Sequence, residues 1–163
     1  IILASPLKPM VLILSKAVPY MVISLINVST ILLISVTLLD LPINGSIWLV
    51  FGVCFLFITT ALSLGLMISN ITDSQQTAMF ISLMGLMLPT LILSGFMFPI
   101  ENMPVPMQVL SNIVPTKWFF IIIKDVMIKG LGFNSVWREI LILAGMTAFF
   151  LIISWKKFKM RLA

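Results

Sequence analysis

The side chains that could do chemistry are few in this sequence. It has no histidine, one cysteine and 9% charged residues, and it contains neither a glycine-rich phosphate loop nor a cluster of metal ligands. Acid–base, nucleophilic and metal-assisted catalysis each need such groups held close together. We therefore expect no enzyme activity in this chain. Cys54 cannot form a disulfide or a cysteine-based metal site within one chain, and we expect it to pack as a small apolar residue.

Glu101 is the most informative polar residue because of its position. It follows a long uncharged segment and lies within residues 93–104, which also contain Gly95, Pro99 and Pro104. Glycine and proline weaken or end a helix. The combination predicts a helix that breaks at a membrane face, with Glu101 as a polar group at a water-facing break rather than a catalytic acid.

The elements that position these residues follow from the composition. With 61% hydrophobic residues among 163 and a mean hydropathy of +1.22, the chain has more apolar surface than a soluble domain of this size can bury. A membrane-spanning helix needs about 20 apolar residues. We predict spans at about 17–39, 47–69, 77–98 and 139–155, whose apolar windows, the last counted from Ile140, contain no charged residue. The predicted fold class is an all-α integral membrane protein, a polytopic helical bundle with four transmembrane helices and a re-entrant outer segment.

The transmembrane domain, residues 17–155, also contains segments outside the spans. Residues 1–16 hold two prolines among apolar residues and are predicted to form a bent, amphipathic segment at the cytoplasmic surface. Residues 99–138 are too apolar for a solvated loop and too interrupted by proline to span, so we predict short helices that enter the membrane and return. Gly85 and Pro89 predict a kink in the third span. The fourth span is short by the measure of about 20 residues.

The basic residues predict an orientation. Six of the ten Lys and Arg lie on the face shared by the two ends, and four of those six are in the basic tail, residues 156–163. Because cytoplasmic segments carry excess Lys and Arg, we place both ends in the cytoplasm, with the tail at anionic lipid headgroups. The first residue is not methionine, so we interpret the chain as part of a longer protein.

Small residues on the second span indicate a packing face. Ala61, Gly65 and Ser69 recur every four residues, which places them on one side of a helix. Such a face permits close approach of another helix. Two interpretations stay open, packing within the chain and contact with another subunit. In the turn that follows, Thr72 or Asp73 is predicted to cap the third helix.

The predicted spans contain no ionisable residue that could carry a proton. Proton-driven transporters usually keep such a residue within a span, so this absence argues against proton-driven transport by this chain. Energy for any transport would then come from sequence outside the chain or from a partner subunit.

Several short motifs resemble one family of transporters. The most specific motif is residues 94–104. The other motifs are 113–119, Lys129-Gly130, Val136-Trp137 and, near the start of the chain, 5–9 and 15–20. Together they are similar to the C-terminal half of a permease of the type-2 ATP-binding-cassette (ABC) transporter family, whose members export drugs, lipids or polysaccharides. The resemblance covers nearly the whole chain, and it implies that the four predicted spans are the third to sixth of six.

The resemblance also implies partners and roles. Two permease halves would pair in the bacterial cytoplasmic (inner) membrane among lipid, with no nucleic-acid partner. Each would dock on a cytoplasmic ABC ATPase subunit that binds ATP and Mg²⁺, so this chain would hold no cofactor. The implied coupling residues are those of the turn 70–76 and Ser5, Pro6, Lys8, Pro9 and Lys16. The implied residues of an outer gate are Ser94, Gly95, Pro99, Glu101, Pro104, Pro115 and Lys117.

Two other functions are compatible with the sequence. A channel or secondary carrier could use the kinked third span as its pore, and an ionisable residue within the membrane in the missing N-terminal half of the protein would favour that function. A structural subunit that transports nothing would need only passive packing of the face formed by Ala61, Gly65 and Ser69. The substrate does not follow from the sequence, because an apolar pathway accepts drugs, lipids and hydrophobic peptides alike.

Overall fold

The structure, a computed structural model, describes residues 9–156, with the side chains of Ser15 and of residues 17–156. Within that range it contains helices and no strand. Four helical stretches are long and apolar enough to cross a membrane, namely Ala17–Thr37, Ile47–Ile71, Gln75–Leu93 and Phe133–Lys156. The predicted class, an all-α membrane protein with four spans, is confirmed.

Helix α1, Pro9–Thr37, contains the first span. The chain is helical from Pro9 onward and continues directly into the span, so residues 9–16 form helix where we expected a bend. Ser5, Pro6 and Lys8 lie outside the described residues. Pro19 lies inside α1, where its ring removes one backbone donor and weakens the helix locally.

Helices α2, Ile47–Ile71, and α7, Phe133–Lys156, form the most extensive helix pair. Apolar residues pack between them at two levels: Val53 lies in one buried cluster with Leu143, and Leu64 lies in a second with Phe150. Two polar contacts also join the helices. The hydroxyls of Thr60 and Thr147 are 2.6 Å apart, and the Asn70 amide donates to the Ser154 hydroxyl at 2.8 Å.

The start of α7 corrects the fourth predicted span. The helix begins at Phe133 rather than near residue 139, so the span is not short. Gly130, in the left-handed region at φ 68°, turns the chain just before it. Arg138 and Glu139 consequently lie inside a helix that is long enough to span. Residues 133–138, which we predicted as the end of the outer region, are the first part of this helix. That the membrane-embedded part of the span carries no charged residue stays a prediction.

The third span consists of three consecutive helical pieces. Helix α3, Gln75–Phe80, is followed by a π-helical segment, Ile81–Met87, and by α4, Leu88–Leu93. The predicted irregularity near Gly85 and Pro89 is thus a π segment, and Pro89 lies two residues beyond it, where its ring removes one backbone donor from a continuous helical stretch. The span ends at Leu93, earlier than the predicted residue 98.

Ser74, rather than Thr72 or Asp73, is the N-terminal cap of α3. Its hydroxyl accepts the N–H of Thr77 at 3.1 Å. Thr72 instead ends α2, with its backbone N–H donating to the carbonyl of Ile68. The prediction of the cap was wrong by one or two residues because neighbouring Thr, Asp and Ser all have capping side chains.

The outer region contains the predicted short helices. A 3-10 turn, Ile100–Asn102, precedes α5, Val105–Ser111, and α6, Pro115–Met127. Helix α6 packs against both α2 and α7, and its Phe119 ring stacks on Phe57 of α2 with centroids 4.2 Å apart. Helix α6 is therefore part of the bundle core rather than a loop above it.

The turn between α1 and α2 docks on the end of α6. Asn44 accounts for this contact, since its backbone N–H donates to the Met127 carbonyl at 3.1 Å and its side-chain amide to the Ile128 carbonyl at 2.9 Å. Gly45 lies so close to Val126 that a Cβ would meet the Val126 carbonyl oxygen. This turn joins the first two spans to the outer helices.

The Thr60–Thr147 contact is expected to stabilise the α2–α7 pair. Replacing either residue with valine removes a hydroxyl of this contact while keeping the shape of the side chain. In a double-mutant cycle of Thr60→Val and Thr147→Val, we expect a coupling energy of about 0.6 kcal/mol, the average for hydrogen bonds between membrane helices. Unfolding in mixed detergent micelles with rising sodium dodecyl sulfate measures it.

Thr59→Val is the matched control for that cycle. Thr59 lies on the same helix and is exposed, and its hydroxyl donates only to the Phe55 carbonyl of its own helix. Coupling between Thr59→Val and Thr147→Val should be absent. Equal coupling for both threonines would show that the Thr60–Thr147 contact does not join the helices.

Candidate functional site

An apolar cleft lies between the second and third spans. Its volume is about 620 Å³, within the range of about 300–1,000 Å³ of ligand pockets. Helices α2 and α7 form one wall, the π segment and α4 form the other, and residues of the connection between α5 and α6 complete the lining. Thr90 and Thr116 supply the only polar side chains in the wall. The cleft can accept an apolar molecule.

The cleft exists because the third span packs loosely. None of the residues in α3, the π segment or α4 is buried. Gly85 has no side chain to fill the space toward α2, and Pro89 and Thr90 line the cleft one turn further on. By contrast, Leu64 and Ile68 on the opposite wall belong to the core. The two walls therefore differ in rigidity.

Ser94 and Gly95 form the turn that ends the third span. Ser94 is buried, and its hydroxyl accepts the N–H of Phe96 at 3.3 Å. Gly95 has φ of 82°, and a Cβ there would lie 3.1 Å from the Ile100 side chain. The Phe96 ring meets Phe120 of α6 edge to face, with centroids 6.0 Å apart. This turn thus connects the end of the third span to α6.

Three prolines of the predicted gate each lie at the start of a helix. Pro99 precedes the 3-10 turn, Pro104 precedes α5, and Pro115 is in the first turn of α6. Pro115 also lines the cleft. Proline is favoured at such positions because its φ suits a helix and its missing N–H would have no partner there. Glu101 is exposed on the 3-10 turn.

Lys117 is at the centre of a polar network that joins α5 to α6. Its ammonium donates to the Ser111 hydroxyl at 3.1 Å and to the Asn112 side-chain oxygen at 2.7 Å. The Trp118 indole N–H donates to the Asn112 carbonyl at 3.0 Å, and the ammonium lies 5.2 Å from the centre of the Trp118 ring. Burial lowers the pKa of the Lys117 ammonium from its usual range.

The predicted packing face is open in the described chain. Ala61, Gly65 and Ser69 are exposed on α2, and a Cβ on Gly65 would meet nothing within 4 Å. Ala61 and Gly65 line a shallow groove beside Ala17 and Tyr20 of α1. Both interpretations of this face, packing within the protein and contact with another subunit, stay predictions.

The structure describes some of the predicted coupling elements. Pro9 and Lys16 lie in the first part of α1. The turn 70–76 lies between α2 and α3, and Asn70 ties it to the inner end of α7. Coupling through these elements stays a prediction.

Glu139 is the ionisable residue that sequence reasoning missed. It lies one helical turn from each of the buried residues Val136 and Leu143 on α7. One of its carboxylate oxygens, Oε2, is buried and has no hydrogen-bond partner among the described residues. The spacing of Val136, Glu139 and Leu143 was the available signal in the sequence, because it places them on one face of a helix. That signal applies only if the helix begins before residue 139.

Comparison with known proteins identifies the family of this membrane protein. Residues 2–128 match the family model described as ABC-2 type transporter. The chain belongs to the ABC-2 type transporter family. The resemblance inferred from the motifs at 94–104 and 113–119 is therefore confirmed. No solved structure matches the chain.

Several curated members of this family are similar to the chain. The probable multidrug ABC transporter permease YbhS of Escherichia coli (strain K12) is 31% identical over 151 residues, which are 93% of this chain and 40% of YbhS. Its counterpart YbhR is 32% identical over 147 residues, 90% of this chain and 40% of YbhR. ABC transporter G family member 20 of Dictyostelium discoideum is 32% identical over 133 residues, 80% of this chain and 17% of that protein. The chain thus spans less than half the length of these relatives.

Gly95→Ala should destabilise this ABC-2 type protein. An L-residue at a left-handed position costs about 1–2 kcal/mol, and the new methyl group would crowd Ile100. Gly52→Ala is the matched control, because Gly52 is helical and exposed and its Cβ would meet nothing within 4 Å. We expect it to be neutral or slightly stabilising. Thermal unfolding in detergent measures both, and equal effects would contradict a special role of the turn at Gly95.

Proposed function

We propose that this chain is the membrane-spanning part of an ATP-driven exporter that moves an amphiphilic or apolar molecule out of the cytoplasm. The ABC-2 type family membership supports an ABC transporter membrane subunit. The observation that carries the finer proposal is the apolar cleft of about 620 Å³ between the second and third spans, because it offers a molecule a site within the membrane.

The energy for this transport comes from partners in our proposal. An ABC ATPase subunit binds ATP and Mg²⁺ on the cytoplasmic side, and a second permease completes the transporter. Family membership supports both partners in general terms. The multidrug names of YbhS and YbhR support a hydrophobic substrate, and their presence in E. coli supports the cytoplasmic (inner) membrane as the location.

ATPase movement would reach the cleft through the inner turn. Asn70 binds this turn to Ser154 of α7, while Ser74 begins the loosely packed third span. A movement of the ATPase that displaces this turn would therefore shift α3 relative to the α2–α7 pair and change the width of the cleft. Helix α1, which continues from Pro9 into the first span, is the second coupling element we propose. The excess of basic residues at both ends supports a cytoplasmic position for these elements.

The outer helices would form the gate on the export side. Residues of the connection between α5 and α6 complete the lining of the cleft, and the turn at Ser94 and Gly95 links the third span to α6. Movement of the third span would thus be transmitted to the residues that close the exit. Pro99, Pro104 and Pro115 would preserve the short helices of this gate during the movement.

Filling the cleft should stop transport. In Gly85→Leu, a side chain would project from the wall of the cleft. A clash between this side chain and the transported molecule that costs about 1.4 kcal/mol lowers the affinity of the cleft for that molecule tenfold. We expect ATP-dependent transport of neutral and charged fluorescent amphiphiles into inside-out vesicles to fall by about that factor or more. The full chain reconstituted with the ATPase that co-purifies with it provides the assay.

Gly145→Leu is the control for this substitution. Gly145 is exposed on α7, does not line the cleft and would accept a Cβ without any contact within 4 Å. It should retain transport. The proposed function would be wrong if the reconstituted protein showed no ATP-dependent transport and co-purified with no ATPase, and the role of the cleft would be wrong if Gly85→Leu behaved like Gly145→Leu.

The partly buried carboxylate of Glu139, with one oxygen buried and without a hydrogen-bond partner among the described residues, keeps a proton-driven carrier as the second candidate function. A carrier that uses Glu139 as its proton site would lose transport in Glu139→Gln, which cannot ionise. For an ATP-driven exporter, we expect Glu139→Gln to retain ATP-dependent transport and to respond to a proton gradient no more than the wild type does. Asp40→Asn, at an exposed site outside the proposed gate, is the control. Transport that follows an imposed pH gradient without ATP and is lost only in Glu139→Gln would favour the carrier.

A further inference from the structure

The Lys117 ammonium is bound by neutral groups. Two of its three N–H groups have protein acceptors, the Ser111 hydroxyl and the Asn112 side-chain oxygen. Ser111 is fully buried, so the ammonium extends from the surface toward the protein interior. The third N–H has no acceptor among the described residues. It can donate to a ligand without any rearrangement of the α5–α6 connection.

No carboxylate neutralises this cation in residues 9–156. Among the described side chains, Asp125 of α6 pairs with Lys129, just beyond the end of that helix, and not with Lys117. Glu101, on the neighbouring 3-10 turn, is exposed and does not come within 4.0 Å of Lys117. A partly desolvated cation held only by neutral dipoles is costly, and a charge-assisted hydrogen bond to an anion offsets that cost.

The same stretch of chain lines the apolar cleft. Leu110 and Ile113, on either side of Ser111 and Asn112 in the sequence, line the cleft, and so does Thr116, directly before Lys117. Lys117, Ser111 and Asn112 are not among the lining residues, so the cation lies beside the cleft rather than in its wall. The Trp118 ring beside the ammonium adds an aromatic group of the type found at membrane interfaces.

We propose that Lys117 binds the anionic headgroup of an amphiphile whose apolar chain occupies the cleft, so that the transported class is amphiphiles with a phosphate or carboxylate head. This inference rests on the proposed function of the cleft. Its basis is the juxtaposition of one uncompensated cation with an otherwise apolar site. An apolar substrate would need no such cation, and a cationic one would be repelled by it.

Amphiphiles that share one chain and differ in headgroup test the proposal. The probes are dodecyl phosphate and dodecyltrimethylammonium, added to the full chain with its ATPase partner in nonionic maltoside micelles. Inorganic phosphate alone separates binding of a free anion from binding of the whole amphiphile. Calorimetric titration, corrected with protein-free micelles, measures affinity for each probe.

Three variants identify the cation responsible. Lys117→Met removes the charge, and Lys117→Arg keeps it. Lys124→Met removes an equal charge from an exposed site on the same helix. Loss of a hydrogen bond to a charged group lowers affinity by about tenfold or more, so we expect that loss for dodecyl phosphate in Lys117→Met. Lys124→Met and Lys117→Arg should bind it like the wild type, and Lys117→Met should bind dodecyltrimethylammonium no more weakly than the wild type does.

Several results would overturn the proposal. Unchanged dodecyl phosphate affinity in Lys117→Met, or an equal loss in Lys124→Met, would remove Lys117 from the site. Inorganic phosphate that bound as tightly as dodecyl phosphate would exclude the cleft from it. A loss that Lys117→Arg failed to restore would show that Lys117 only braces Ser111 and Asn112.

The proposed function is tested separately by transport of a neutral dye. Wild-type protein that transports a neutral dye with ATP but shows no preference for the phosphate head would contradict the headgroup site alone. Wild-type protein that transports no dye with ATP would contradict the proposed function, whatever the headgroup preference.

Discussion

Helices in a bilayer gain little by burying apolar side chains against one another, because the surrounding lipid is equally apolar. The pairing of α2 with α7 therefore depends on close packing together with polar contacts that lipid cannot replace. The Thr60–Thr147 contact lies in the middle of the pair, and the Asn70–Ser154 contact lies at its inner end. In the described chain, α6 adds to the outer half of this pair, and the other helices lie against it with less burial.

The helices of this protein differ in how tightly they pack, so the third span can move relative to α2, α6 and α7. Helices α2, α6 and α7 share a buried core, whereas the third span contributes no buried residue and contains a π segment. Segments with few buried contacts shift at low free-energy cost. The cleft lies between these two parts, so a displacement of the third span changes the cleft without disrupting the core. This arrangement suits a site that must open and close during transport.

The outer end of the cleft combines features that differ in chemistry. Short helices begin at prolines, the turn at Gly95 joins them to the third span, and the Lys117 network holds α5 against α6. In our proposals these features close the exit and select the headgroup of the substrate. Both roles depend on contacts between segments that are close together in sequence, which makes the outer region a compact unit on top of α2 and α7.

The amino-acid sequence determined the class, three of the four spans to within a few residues and the break near Gly95, because bilayer thickness and backbone chemistry act on local sequence. Tertiary structure decided the rest. Residues 133–138 were predicted as the end of the outer region, yet they begin α7, since the chain turns at Gly130, just before the helix. The Thr60–Thr147 contact, the cleft beside Gly85 and the neutral partners of Lys117 arise only when particular helices become neighbours, and that choice depends on long-range contacts absent from any local pattern.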